Sequence, residues 1–156
     1  MTLSEETKQK IIEEHNKWKD IQYNGKTKKE RQKLGQFYTP PELTIKMIEK
    51  FENLEGNILD PTIGSGNLIA ACIIAGANPK TCYGIELDKE ILDNVCKKRL
   101  IPMGVPEENL RYGNALNDDC YKFEKKGYTF IDDGSKTGKV VWTDDNGKER
   151  FSFGKF

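Results

Sequence analysis

Asn57-Ile58-Leu59-Asp60-Pro61-Thr62-Ile63-Gly64-Ser65-Gly66-Asn67-Leu68 is the stretch whose reading decides the fold. A short apolar run, Ile58-Leu59, meets the carboxylate of Asp60. Pro61 and two glycines bracketing Ser65 follow, and then a helical pattern from Leu68 through Ala75. That order reads as a buried strand running into a tight loop that opens a helix. Gly64 and Gly66 carry no Cβ and tolerate positive φ, so a ligand can approach the backbone closely. The first-turn N–H groups of the following helix then face that ligand. Asp60, at the strand end, is placed to accept a hydrogen bond from a cationic or N–H group. Alone, such a loop is common to many nucleotide-binding folds.

Its neighbours narrow it. Gly76-Ala77-Asn78-Pro79 makes a turn, and Thr81-Cys82-Tyr83-Gly84-Ile85-Glu86 reads as a second strand ending in an acid. Glu86 lies about 20 residues beyond Gly66, the interval at which a nucleoside-binding α/β unit places an acid on ribose hydroxyls. A helix is expected from Lys89 to about Leu100. After a loop containing Pro102, Gly104 and Pro106, Leu110 to Leu116 reads as a third short strand with a polar tip.

Upstream, Ser4 to Tyr23 has helical spacing in Ile11, Ile12, His15, Trp18 and Ile21. His15 is read there as a packing residue. Asn24 to Lys33 is glycine-broken and lysine-rich; it reads as a solvated linker or exposed helix, with phosphate contact as the alternative. Gly35-Gln36-Phe37-Tyr38-Thr39-Pro40-Pro41 follows. A helix should start at Pro40 or Pro41 with Thr39 as its cap, and continue through Leu43, Ile45, Met47, Ile48 and Phe51. Phe37 and Tyr38 are core plugs or pocket walls.

Lys+Arg and Asp+Glu both number 25, so bulk charge does not make the chain a polyanion binder, although a local basic patch stays open. A charged fraction of 32% over a 36% hydrophobic one fits a cytoplasmic protein. No apolar run approaches the ~18 residues of a membrane span, and no signal peptide opens the chain. Cys72, Cys82, Cys96 and Cys120 lack C-x-x-C spacing and His15 is the lone histidine, so no metal site is expected and the thiols read as free. The last segment changes character: Tyr128 to Ile131, Lys139 to Thr143 and Arg150 to Phe153 alternate with turn clusters, among them the hairpin signal Asn146-Gly147. Tyr128 to Phe156 therefore reads as a β-meander. The expected organisation is an N-terminal helix and lysine-rich linker over 1–34, a ligand-binding core over 35–120, and a meander over 121–156 completing the same single domain.

Four stretches together resemble the S-adenosylmethionine-dependent DNA methyltransferases that act on adenine N6. Gln36-Phe37-Tyr38-Thr39-Pro40 is similar to that family's motif X and Asp60-Pro61-Thr62-Ile63-Gly64-Ser65-Gly66-Asn67 to its motif I. Gly84-Ile85-Glu86-Leu87-Asp88 is similar to motif II and Gly113-Asn114-Ala115-Leu116 to motif III. The resemblance covers Gly35 to about Asp118. It implies an α/β, Rossmann-like methyltransferase fold, here reduced, with an N-terminal helix and a C-terminal antiparallel β-meander. It also implies S-adenosylmethionine as cofactor, DNA as substrate, and a restriction-modification setting in bacteria or phage. In the implied site, Asp60, followed by Pro61, faces the methionine amino group. Gly64 and Gly66 let the cofactor approach, and Tyr38 and Thr39 lie near its carboxylate. Glu86 takes the ribose hydroxyls, Leu87 packs on the adenine, and Asn114 stands at the adenine's amino edge.

One motif of the family is not found. Its catalytic Asp/Asn/Ser-Pro-Pro-aromatic loop holds the target amino group and stacks a flipped base. No proline follows Asn114, and Pro40-Pro41 belongs to motif X. Catalytic residues are therefore unassigned. Asp132-Asp133, Asp144-Asp145, Phe130, Trp142 and Phe153 are candidate substitutes that read more simply as hairpin turns and strand faces. Two functional readings stay open. One is an adenine-specific methyltransferase completed by a partner chain. The other is a non-catalytic, cofactor-holding module that serves as a regulatory subunit, sensor or anti-restriction protein, with its C-terminal strands forming a partner or homodimer edge. A third, an N-terminal piece of a longer enzyme, is opposed by Met1 and by a plausible terminal meander.

Overall fold

The computed structural model describes residues 1–117 and the strands 128–132, 140–144 and 149–153. The chain forms two compact units, Met1–Ala115 and Leu116–Phe156. The boundary expected after residue 120 thus falls inside the second unit, and the first 34 residues belong to the same unit as the Gly-rich loop.

The first unit is α/β. In order it contains α1 (Glu5–Trp18), α2 (Lys28–Lys33), α3 (Pro41–Ile48), β1 (Ile58–Asp60), α4 (Asn67–Ile74), β2 (Cys82–Glu86), α5 (Lys89–Ile91), a π-helical turn (Leu92–Cys96), α6 (Lys97–Leu100) and β3 (Leu110–Tyr112). The strands form one parallel sheet in the order β1-β2-β3. Asp60 is opposite Gly84, and Glu86 is opposite Tyr112. Parallel strands joined by helices carry their connecting loops and ligand crevice at the carboxyl ends. Asp60, Glu86 and the residues after Tyr112 are therefore delivered to one edge.

Apolar side chains of α1, α3, α4 and α6 share the core, with Ile48, Ile69, Cys72, Cys96 and Leu100 fully buried and Ile11 of α1 among them. Burial pushes the thiols of Cys72 and Cys96 up to about 12 and that of Cys82 up to about 11, and all three are free.

Helix boundaries differ from expectation for local reasons. α1 is capped by the Ser4 side chain, which accepts the Thr7 N–H at 3.1 Å. It stops at Trp18 rather than Tyr23, and the chain turns onward until Asn24 and Gly25 adopt positive φ of 51° and 75°, a helix-ending conformation. The lysine-rich segment is a true helix because Thr27 and Glu30 form a capping box. Thr39 does not cap α3. Pro40 occupies that position and Pro41 starts the helix; Pro41 has no N–H to leave orphaned, and Pro40 has no side-chain oxygen with which to cap the turn. The helix ends at Ile48, leaving Phe51 beyond it and exposed. β3 is shorter than the expected Leu110–Leu116: it ends at Tyr112, where the Gly113 N–H donates to the Glu86 carbonyl at 2.9 Å as the last bond to β2.

In the second unit β4 (Tyr128–Asp132), β5 (Val140–Asp144) and β6 (Glu149–Phe153) pair antiparallel. Antiparallel pairing is confined to this unit; the sheet that carries the Gly-rich loop is parallel throughout. The turn residues Asp133, Gly134, Ser135, Asp145, Asn146 and Gly147, and also Cys120, lie outside the described residues. No helix among the described residues is long and apolar enough to cross a membrane. None of their His, Cys, Asp and Glu side chains gather in threes as a metal would require.

Candidate cofactor site

The site is assembled around the turn that leaves β1. The Ile63 N–H donates to the Ile85 carbonyl at 2.9 Å, which folds the loop back over β2. That return is possible because position 84 is glycine. A Cβ there would lie 2.1 Å from Ile63 Cδ1, well inside van der Waals contact. Gly64 and Gly66 adopt φ of +55° and +88°, a region that L side chains disfavour. Gly66 also abuts Leu100, whose Cδ1 would lie 2.9 Å from an added Cβ.

Two acids stand at the strand ends. Glu86 accepts the Gly64 N–H through Oε2 at 2.9 Å and the Asp88 N–H through Oε1 at 2.7 Å. Each oxygen keeps acceptor capacity. Asp60 accepts the Thr62 N–H at 3.0 Å. Burial pushes both carboxyls above their ordinary range, against the opposing effect of these N–H donors. Neither acid has a Lys or Arg partner among the described residues, although eight ion pairs form elsewhere. Half-buried carboxylates without a counter-charge are partly desolvated at a cost, and this pair lies where a parallel sheet presents its ligand crevice.

Tyr38 and Thr39 reach the same loop. The Tyr38 ring packs on Gly64, its Cε1 2.9 Å from where a Cβ would stand. Tyr38 stacks on Tyr23, ring centroids 4.5 Å apart and planes nearly parallel, and the Arg31 guanidinium caps Tyr23 at 3.9 Å. The Tyr38 hydroxyl is buried and has no hydrogen-bond partner among the described residues. Burial, reinforced by the charges of Glu86 and Asp88, holds its pKa far above the usual phenol. The Thr39 carbonyl accepts from Asn67 Nδ2 at 2.9 Å. Asp88 caps α5 through Oδ1, while Oδ2 accepts from Gln36 at 2.8 Å and from Lys26. Burial works to raise the Asp88 carboxyl, but the Lys26 and Gln36 donors outweigh it and hold it below its ordinary range.

The expected residues therefore separate into two groups. Tyr38, Thr39, Gly64, Gly66, Asp60 and Glu86 converge on one loop and two strand ends. Pro61, Leu87 and Asn114 are on the rim and exposed, Leu87 by 64%. Leu87 therefore offers an apolar surface at the site's edge without being packed into the fold. Asn114 follows Gly113 at the end of β3. Phe37 is a rim residue at 75% exposure, so it is not a core plug. Sequence reasoning missed Tyr23, Lys26 and Gln36 as neighbours of the site; Thr27-x-x-Glu30 was the available signal that this segment is structured.

The loop, the two strand-end acids and the Tyr38 ring thus stand together at the carboxyl ends of the parallel strands. Residues 1–98 match the N6/N4 methyltransferase family described as DNA methylase, and the chain belongs to that family. The Type II methyltransferase M.NspV of Nostoc sp. (strain ATCC 29411 / PCC 7524) is 36% identical over 75 residues, 46% of this chain and 16% of that protein. This chain thus spans about one sixth of the curated relative it matches. No solved structure matches.

Proposed function

We propose that the first unit binds S-adenosylmethionine in a reduced Rossmann-like methyltransferase fold and serves adenine-N6 methylation of DNA together with a partner chain. The observation that carries this reading is a pair of half-buried acids, Asp60 and Glu86, with no Lys or Arg partner among the described residues, around a positive-φ glycine loop. A sulfonium cation with an ammonium group and two ribose hydroxyls matches that demand. Bound there, the cofactor supplies an electrophilic methyl group.

The chain's own residues bind and orient it. Asp60 accepts from the amino group, and Glu86, already aligned by the Gly64 N–H, accepts from the ribose. Tyr38 brings an unpartnered hydroxyl to the amino-acid end beside Thr39. Leu87 offers its exposed apolar surface to the adenine, and Asn114 stands near the adenine's amino edge. Gly64 and Gly66, after Pro61, leave room at the backbone. The buried unpartnered hydroxyl is what makes the residues fit the group.

A second reading, a module that holds the cofactor without transferring methyl groups, is favoured by one observation: no proline follows Asn114, so the motif IV pattern is not found. Calorimetry with S-adenosylmethionine tests the shared premise. Micromolar binding that Asp60→Ala and Glu86→Ala each weaken by tenfold or more (about 1.4 kcal/mol) is expected; no binding by the wild type refutes it. A tritiated methyl-transfer assay on DNA, with and without a candidate partner chain, then separates the readings. Incorporation that requires Asp60 favours the enzyme, and tight binding with no incorporation favours the module.

A further inference from the structure

A buried polar network joins the Gly-rich loop to the Tyr38–Thr39 segment. At its centre is Arg99 of α6, 2% exposed. Glu14 of α1 holds it in a fork, Nε donating to Oε1 at 2.8 Å and Nη2 to Oε2. The remaining nitrogen, Nη1, donates to the Ser65 carbonyl at 3.2 Å and to Asn67 Oδ1. Because the cation takes Asn67 Oδ1, the amide nitrogen of Asn67 is turned to the Thr39 carbonyl at 2.9 Å. Gln22 completes the set, its Oε1 3.3 Å from Ser65 Oγ and 3.4 Å from Asn67 Nδ2. The Trp18 ring lies 5.8 Å from the guanidinium.

Burying a guanidinium this deeply adds little net stability over an apolar filling of the same space. What the arrangement does is geometric. One cation dictates which way Asn67 faces, and Asn67 in turn fixes the distance between two chain segments separated by almost thirty residues. Planar, five-donor arginine performs this; a lysine in its place would keep the charge but lose the fork.

We propose that Arg99, clamped by Glu14, is a positioning residue for the amino-acid end of the bound cofactor. It sets the spacing between the Gly-rich loop and the Tyr38–Thr39 segment and leaves the ribose end, held by Glu86, unaffected. The inference rests on the S-adenosylmethionine reading. It makes the N-terminal helix part of the binding apparatus, although none of its residues lines the site.

The test compares two ligands, S-adenosylmethionine and 5′-methylthioadenosine, which keeps the nucleoside and the sulfur, as a neutral thioether in place of the sulfonium, but lacks the amino-acid end. Each is titrated into wild type, Arg99→Lys and Glu14→Gln, with thermal unfolding measured alongside. The expected result is that S-adenosylmethionine affinity falls by tenfold or more (about 1.4 kcal/mol), while 5′-methylthioadenosine affinity falls by less than about threefold. Equal weakening of both ligands in a variant that retains its unfolding transition reveals a merely structural role and overturns the proposal, as does no change in either. Should Arg99→Lys fail to fold, Glu14→Gln, which leaves Arg99 in place, carries the same comparison. A wild type that binds neither ligand refutes the cofactor reading itself, which is a distinguishable failure.

Discussion

The Gly64 N–H donates to Glu86 Oε2 at 2.9 Å, so the loop leaving β1 and the acid ending β2 form one rigid piece. A side chain that binds ligand is usually held by neighbours that fix its rotamer. Here the neighbour is the loop's own backbone, and the same bond orients the acid and tethers the glycine turn.

That piece depends on the empty space at position 84. Gly84→Ala is expected to destabilise the protein by about 1–3 kcal/mol through overpacking against Ile63, because φ at this position is not positive and the strain is steric alone. Trimming the obstruction in Gly84→Ala/Ile63→Ala should recover part of the loss, leaving less destabilisation than the two single variants summed. Urea denaturation of the four proteins measures the coupling.

Stability and binding should move in opposite directions at Asp60. Its folded-state pKa is raised by burial, so the folded protein binds its proton more tightly than the unfolded chain does. The stability this gives is fully present below the unfolded carboxylate value of 3.8 and is lost as pH rises through the folded pKa. Glu86 acts in the same sense from its unfolded value of 4.5. Asp60→Asn is expected to unfold at a higher temperature than wild type near neutral pH, to show a flatter dependence of Tm on pH above the unfolded value of 3.8, and to bind S-adenosylmethionine far more weakly. An unchanged pH profile would remove Asp60 as the cause.

Tyr38→Phe deletes a buried hydroxyl that no group among the described residues satisfies. Without ligand the variant should be as stable as wild type or more stable by up to about 1 kcal/mol, since an unpaired buried polar group is a liability. With saturating S-adenosylmethionine the order should reverse. Denaturation curves with and without ligand decide this.

Thr27→Ala removes the side-chain half of the α2 capping box, leaving the backbone N–H of residue 27 to donate to Glu30. The expected cost is about 1 kcal/mol, felt locally because α2 buries none of its residues. Hydrogen exchange should accelerate over residues 28–34 and remain unchanged in α4.

The parallel unit was legible in the sequence because its signals are local: Ile58-Leu59-Asp60 and Cys82 to Glu86 read as strands, and glycines stood where positive φ or close approach required them. Convergence of Tyr38, Asp60 and Glu86 was legible only through the order of four motifs. What stayed hidden depends on long-range side-chain pairing. Glu14 and Arg99 look like two more charges in a heavily charged chain, and nothing local marks them as partners across the fold. Gln36 and Lys26 likewise find Asp88 only in three dimensions. The Thr39 misreading has a simpler cause: two consecutive prolines shift the cap by one residue.

The three buried thiols have a practical consequence. Cys72 sits in α4, Cys82 opens β2 and Cys96 ends the π-helical turn, and with pKa values near 11 to 12 they react with disulfide reagents only when the fold opens. In a Cys120→Ser background, each labelling rate is thus a clock for the opening of one layer of the parallel unit. Slowing of all three on addition of S-adenosylmethionine would report occupancy of the site without any enzymatic assay.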